Sequence, residues 1–245
     1  MNLPNAITVA RIAATPAIAL LPFVDSWSLR LAAFVLYIVA AVTDYYDGML
    51  ARTRGQITDL GKQLDPLADK LLLVGTFVPM FLLTANGGDA SLLSPHQEPF
   101  VPGVLGPTVR PDGEAAFPVH FPGLPPVGLP WWILAIVVGR ELFMTLFRSA
   151  AARRGTVIAA IGPAKWKTGF QSTWVGAAYF WFFAATLAAE KAWTHGAWRA
   201  FAQFNGLVVV VTMVAAVALT VWTMWLYLRR YGWIFTGRGA PTTGA

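Results

Sequence analysis

Apolar residues run along this chain in six blocks, at roughly 8–24, 29–46, 67–84, 130–149, 169–189 and 206–228, separated by stretches where Pro, Gly and charged residues gather. Each block approaches the ~20 residues that an α-helix needs to cross a bilayer. The pattern predicts an all-α, polytopic membrane protein: a six-transmembrane-helix bundle forming one domain over residues 1–245. Pro4, ahead of an apolar run led by Thr8, predicts a short interfacial segment entering the first helix. MNLPNAITVARI has no basic region before its apolar stretch, and Arg11 falls inside it, so the stretch reads as a retained helix and not a cleavable signal.

Composition agrees with this picture. The chain is 56% hydrophobic and only 12% charged, about half the charged share of a soluble domain. Charge placement then sets the orientation. Arg52, Arg54, Lys62 and Lys70 lie in the 48–70 connection; Arg148, Arg153, Arg154, Lys165 and Lys167 lie in 148–167; Arg229, Arg230 and Arg238 lie in the tail. The alternate connections hold only Arg30, Arg110, Lys191 and Arg199. Cytoplasmic loops carry the excess of Lys and Arg, so both termini are expected in the cytoplasm. Trp131, Trp132, Trp193, Trp198, Tyr231 and Trp233 fall near helix ends, as interfacial aromatics do. The Pro- and Gly-rich connection 85–129, nearly free of Lys and Arg, reads as an extracytoplasmic loop insert with little regular structure. His96, Glu98, Asp112, Glu114 and His120 sit there at spacings that match no tight metal-ligand pattern. The net charge of +6 suits anionic head groups better than nucleic acid in a membrane chain, and the absence of cysteine removes thiolate catalysis and Cys-based metal sites.

The chemistry gathers in TDYYDGMLARTRGQITDLGKQLDPLADK. Asp44 and Asp47 are three apart at the end of the second helix, and Asp65 and Asp69 four apart at the start of the third; each spacing places a pair on one helix face. Four carboxylates turned toward one point at the edge of hydrocarbon repel one another and carry a desolvation cost unless a cation sits among them. Oxygen ligands with no His or Cys nearby suit hard ions such as Mg²⁺ or Mn²⁺. Two such ions would balance four carboxylates, and paired ions of this kind bridge phosphate oxygens during displacement. Gly48 lets a phosphate or base approach the backbone, and Arg52, one turn on, is placed to grip a phosphate. A solvated loop accounts for Asp59, Arg54 and Lys62, but ionisable groups at helix ends facing a bundle are usually functional.

The run Asp44-x2-Asp47-Gly48-x2-Ala51-Arg52-x8-Gly61-x3-Asp65-x3-Asp69 resembles the full signature of the CDP-alcohol phosphotransferases, with each fixed position filled. That resemblance implies a six-helix bundle, usually a homodimer, with a polar cavity open to the cytoplasm, two divalent metals and release of CMP. It implies metal ligation by Asp44, Asp47 and Asp65. Asp69 is implied to be the general base that takes the acceptor proton while touching the second metal. Gly48, Arg52 and Thr58 match positions that hold the CDP part of the donor, and Asn5 to Thr8 resemble a PNxxT segment that contacts the nucleotide end. Within the family the likeness is greatest to phosphatidylglycerophosphate synthases, through NLPNAITVARI, LDPLADK, GRE at 139–141 and KWKTGFQ at 165–171. The implied partners are CDP-diacylglycerol, glycerol 3-phosphate and membrane lipid, and the implied location is the cell (inner) membrane with the site facing the cytoplasm. The 85–129 loop is longer than the family pattern leads one to expect.

An acceptor carrying its own phosphate needs a basic pocket. Arg140, an intramembrane arginine beside Glu141, is one candidate, with a helix-orienting ion pair as its other reading. Arg148, Arg153, Lys165 and Lys167 lie on the same side as the aspartates and favour an anionic acceptor over choline or ethanolamine. Competing readings are the same chemistry with another acceptor (cardiolipin synthase or phosphatidylinositol-phosphate synthase type), a divalent-metal transporter, and a lipid-binding scaffold without turnover. The transporter would not require Gly48, Ala51 and Arg52 at fixed offsets.

Overall fold

The computed structural model describes residues 3–53, 59–85, 102–103, 106–107, 129, 131–158, 162–193 and 196–236. Side chains are described within these ranges except at 3–4, 45, 47–53, 59–60, 62–63, 84–85, 102–107, 189, 196, 199, 203 and 235–236. The chain builds α1 (Leu3–Leu20), a 3-10 turn (Leu21–Phe23), α2 (Trp27–Thr53), α3 (Asp59–Ala85), α4 (Trp131–Arg153), α5 (Gly162–Glu190), α6 (Gly196–Tyr231) and the single turn α7 (Trp233–Thr236). Two two-residue strands, β1 (Pro102–Gly103) and β2 (Gly106–Pro107), pair antiparallel with Pro102 opposite Pro107. The rest of 85–129, apart from its two ends, lies outside the described residues.

Each apolar block found in the sequence falls on a helix that runs past it at one end or both, although α1 gives way to the 3-10 turn at Leu21, before its block ends, and α4 starts at Trp131, one residue inside its block. α1 begins at Leu3, so Pro4 occupies a first turn, where a missing N–H costs nothing, and the stretch read as an interfacial segment is, among the described residues, part of this helix. α3 begins at Asp59, two turns before the hydrophobic block, and α5 begins at Gly162, which takes Lys165 and Lys167 out of the connection and into a helix. Hydropathy marks the part of a helix that suits hydrocarbon, whereas the hydrogen-bonded spiral continues into water.

α1, α2, α3 and α6 contain stretches long and apolar enough to cross a membrane. α4 carries Arg140, Glu141 and Arg148 within its length, and α5 carries Lys165 and Lys167 near its start and the polar run Gln171, Ser172 and Thr173 further in. Large apolar side chains stand exposed in helical stripes, Val35, Val39 and Val42 on α2 and Val214, Val221 and Trp225 on α6. Such stripes are untenable in water and normal against lipid chains. This is a membrane protein.

α1 packs against α2 and α3, α5 against α2 and α6, and α4 against α3 and α6. The core between them is aromatic. Phe77 meets Trp174 edge-on at 5.1 Å, and Tyr37 stacks on Tyr179 at 5.6 Å. The buried Tyr179 hydroxyl satisfies itself on carbonyls of two helices, 3.3 Å from the oxygens of Ile18 and of Gly75. α1 and α3 approach so closely that a Cβ on Gly75 would come within 2.6 Å of Thr15 Cγ2. At the end of the bundle away from the aspartates, Arg30 ties three elements together, with Nε donating to Pro22 O at 3.0 Å and Nη1 donating to Thr186 Oγ1.

Candidate active site

One face of α1 positions the acidic site. Asn5, Thr8, Arg11, Thr15 and Ile18 recur every three or four residues and are all buried, so a polar stripe faces the bundle and turns apolar only past Thr15. Asp44 arrives near the end of α2, and Asp65 and Asp69 arrive one turn apart near the start of α3. Thr8 Oγ1 donates to Asp65 Oδ1 at 2.9 Å. Arg11 Nη1 donates to Asp44 Oδ1 and lies 3.5 Å from Asp69 Oδ1. The geometry is inverted relative to an ordinary ion pair. The guanidinium side chain is 1% exposed, while Asp44 and Asp69 are 47% and 60% exposed. The carboxylates thus present free oxygen positions outward, with a fixed cation behind them.

The structure therefore brings together Asp44, Asp65, Asp69 and Thr8, with Asn5 buried on the same face of α1. Asp47, Gly48 and Arg52 are placed by the backbone in the last two turns of α2, but their side chains are outside the described set, and Thr58 lies outside the described residues altogether. Arg11 is the residue that reading the sequence missed. Its signal was available: a charge inside an apolar run, one turn from Thr8, where intramembrane ionisable groups are functional candidates by default.

The donor set is carboxylate and hydroxyl oxygen from three helices, the chemistry of a hard divalent ion. Two carboxylates already converge on one positive nitrogen, which shows that their oxygens face a common cation position. Among the described residues no three His, Cys, Asp or Glu side chains close on a single point; the fourth aspartate of the pattern, Asp47, is not part of that set. In donor chemistry the residues present fit Mg²⁺ or Mn²⁺.

A basic cluster is built by α4, α5 and α6. Arg140 Nη1 donates to Glu141 Oε1 at 2.7 Å and its Nη2 to Thr223 Oγ1 at 3.2 Å, while Lys167 Nζ donates to that same Glu141 oxygen. Arg140 and Lys167 are buried. Arg148 reaches the hydroxyl of Tyr227 at 3.3 Å and lies over its ring. Of the predicted acceptor residues, Arg140 and Lys167 are thus brought together through Glu141, Arg148 of α4 leans on Tyr227 of α6, and Arg153 and Lys165 are exposed. Lys165 lines a separate cavity of about 860 Å³ beside Trp166, Gly169 and Thr173. Arg154, read as a plain positive-inside residue, donates to Ile234 O and so fastens α4 to α7. The antiparallel run of helices places this cluster at the aspartate end of the bundle: α2, α4 and α6 finish there and α1, α3 and α5 begin there.

A family model described as CDP-alcohol phosphatidyltransferase matches residues 1–93 and 114–237. The chain belongs to this family. The gap between the two matched stretches, 94–113, falls inside the Pro- and Gly-rich connection. Among curated relatives, the CDP-diacylglycerol–glycerol-3-phosphate 3-phosphatidyltransferase of Rickettsia bellii is 47% identical over 81 residues, covering 33% of this chain and 44% of the relative. A probable phosphatidylglycerophosphate synthase of Mycobacterium tuberculosis is 28% identical over 178 residues, 71% of this chain and 64% of its own length. The chloroplastic/mitochondrial CDP-diacylglycerol–glycerol-3-phosphate 3-phosphatidyltransferase 1 of Arabidopsis thaliana is 28% identical over 237 residues, 94% of this chain and 62% of the relative. The chain thus covers less than two thirds of the length of each of these family members.

Proposed function

We propose that this family member transfers a phosphatidyl group from CDP-diacylglycerol to glycerol 3-phosphate, giving phosphatidylglycerophosphate and CMP. The observation that carries the reading is the convergence of Asp44, Asp65 and Asp69 on the polar stripe of α1, at the bundle end that also holds Arg140, Lys167 and Arg148. Names borne by relatives from Rickettsia bellii and Arabidopsis thaliana support the same substrates.

In this account Asp44, Asp47, Asp65 and Asp69 hold two divalent ions. When bound, such ions neutralise the donor diphosphate and the charge developing on the attacking and leaving oxygens. Asn5, Thr8, Gly48, Arg52 and Thr58 hold the CDP end. Thr8 fixes the rotamer of Asp65 through its hydroxyl, as outer partners of metal ligands do. Asp69 accepts the proton of the acceptor hydroxyl as its oxygen attacks the phosphatidyl phosphorus; the bond from that phosphorus to the bridging oxygen breaks, and CMP leaves with the electron pair. Arg148, Arg153, Lys165 and Lys167 draw in the acceptor phosphate. Arg140 is better read as the brace of this cluster, since Glu141 and Thr223 hold its two terminal nitrogens and only its buried Nε has no partner among the described residues.

The reading includes six spans with both termini in the cytoplasm, 85–129 outside, a homodimer, and residence in the cell (inner) membrane with the site facing the cytoplasm. The test is to incubate the purified chain with CDP-diacylglycerol and Mg²⁺ plus glycerol 3-phosphate, inositol phosphate, serine or phosphatidylglycerol in turn, and to measure CMP and the lipid formed. CMP release with glycerol 3-phosphate alone is expected. Release with one of the others only would transfer the chain to another acceptor class, and release with none would defeat the transferase reading.

A further inference from the structure

We propose that Arg11 is a positioning residue that competes with divalent metal for Asp44 and Asp69, a tethered cation that holds the acidic site together and keeps its metal affinity low. The inference rests on the metal-dependent reading above. One nitrogen, Nη1, donates to an oxygen of Asp44 on α2 and lies 3.5 Å from an oxygen of Asp69 on α3, so two of the four signature carboxylates are spoken for by the same group. The guanidinium cannot leave for water, because its side chain is 1% exposed on the inner face of α1. Nor can it lose its charge, since arginine stays protonated in proteins. Taking a guanidinium out of water is costly unless it keeps anionic partners. Arg11 is therefore bound to its carboxylates, and through them α1 is clamped to α2 and α3.

Charge balance gives the consequence. Four carboxylates match two divalent ions, and the charge of Arg11, a fifth positive charge in the same cluster, is surplus. An ion reaching Asp44 or Asp69 meets both a blocked oxygen and Coulomb repulsion that the half-buried setting screens less than water would. Metal binding through those Oδ1 atoms then competes with Arg11, and binding through the outward-facing oxygens still meets its charge. Thr8, a neutral donor one turn away, orients Asp65 without any such competition. The site thus has one ligand that is pre-set and two that are contested.

The test measures Mn²⁺ binding by electron paramagnetic resonance, together with Tm in EDTA and in saturating Mn²⁺, for the full chain in lipid nanodiscs as wild type, Arg11→Met and Arg11→Lys. Arg11→Met should melt several degrees lower in EDTA, because Asp44 and Asp69 then repel without relief. It should bind Mn²⁺ at least about tenfold tighter, the effect of removing one nearby like charge, and gain more Tm from the metal than the wild type does. Arg11→Lys, whose single ammonium keeps the charge but not the fork, should fall between them. If Arg11→Met does not fold, the Lys variant must still bind Mn²⁺ more tightly than wild type. A merely structural arginine would lower Tm equally with and without metal and leave Mn²⁺ affinity unchanged; that result, or weaker binding in the variants, overturns the inference. A wild-type chain that binds no Mn²⁺ would remove the metal reading and this inference with it. Binding by wild type without a gain in the variants removes the inference alone.

Discussion

The two charged clusters of this protein are built on opposite plans. On α1, α2 and α3 a buried cation, Arg11, serves carboxylates that are half exposed. On α4, α5 and α6 a single carboxylate, Glu141, 26% exposed, serves the buried cations Arg140 and Lys167. In each the minority charge contacts the majority charges, and the majority charge matches what the proposed function asks the cluster to bind: metal and diphosphate on one side, an acceptor phosphate on the other. The difference lies in what is left free. The acidic cluster turns oxygens outward, whereas the basic cluster spends both terminal nitrogens of Arg140 on Glu141 and Thr223, leaves its Nε buried without a partner among the described residues, and leaves Lys167 and Arg148 with donors to spare.

The largest effect should come from the acidic side. Asp69→Asn should preserve the fold and most of the CDP-lipid binding yet lower kcat by the roughly 10²–10⁴-fold that general-base catalysis contributes. Retention of more than about a tenth of wild-type kcat would reduce Asp69 to a ligand, because it falls short of that range. Thr8→Val, which keeps shape and removes the donor to Asp65, should weaken metal use by the roughly 10–100-fold typical of an outer partner, read as a raised Mg²⁺ requirement. An unchanged Mg²⁺ titration would show that Asp65 needs no such orientation.

Smaller and different in kind is the expected loss on the basic side. Lys167→Ala or Arg148→Ala should raise KM for glycerol 3-phosphate about tenfold, the weight of one charge-assisted hydrogen bond, with KM for CDP-diacylglycerol little changed. A rise confined to the donor would erase the division of labour between the clusters. The mildest probe leaves activity near wild type and reads sidedness: a cysteine introduced at Gln56 in this Cys-free chain should label only from the cytoplasmic face. Labelling from outside would invert the assigned orientation.

The acidic cluster was legible in the sequence because it depends on spacings within two adjacent helices: Asp44, Asp65 and Asp69 declare themselves by helical periodicity and by their cost in hydrocarbon. Arg11 was not, because its partners are 33 and 58 residues away, a distance that no local period reveals. The basic cluster was legible only as a list. Charge counting collected Arg140, Arg148, Arg153, Lys165 and Lys167 without ranking them, and only tertiary contact through Glu141, Thr223 and Tyr227 separates the buried Arg140, held at both terminal nitrogens, from Arg148 and Lys167. The fold divides in the same way. The helix centres followed from hydropathy, while the early starts of α3 and α5, which carry Asp65 and Lys167, lie in polar sequence that hydropathy passes over.

The central claim is that the aspartate cluster and its metal move a phosphatidyl group. CMP release from CDP-diacylglycerol and glycerol 3-phosphate, followed for wild type and Asp65→Asn first in EDTA and then across a Mg²⁺ titration, tests it most directly. The account predicts no release by wild type in EDTA, full recovery with Mg²⁺, and a rate lower by orders of magnitude for Asp65→Asn at ordinary Mg²⁺. Release that persists in EDTA, or full activity of Asp65→Asn at ordinary Mg²⁺, would contradict it.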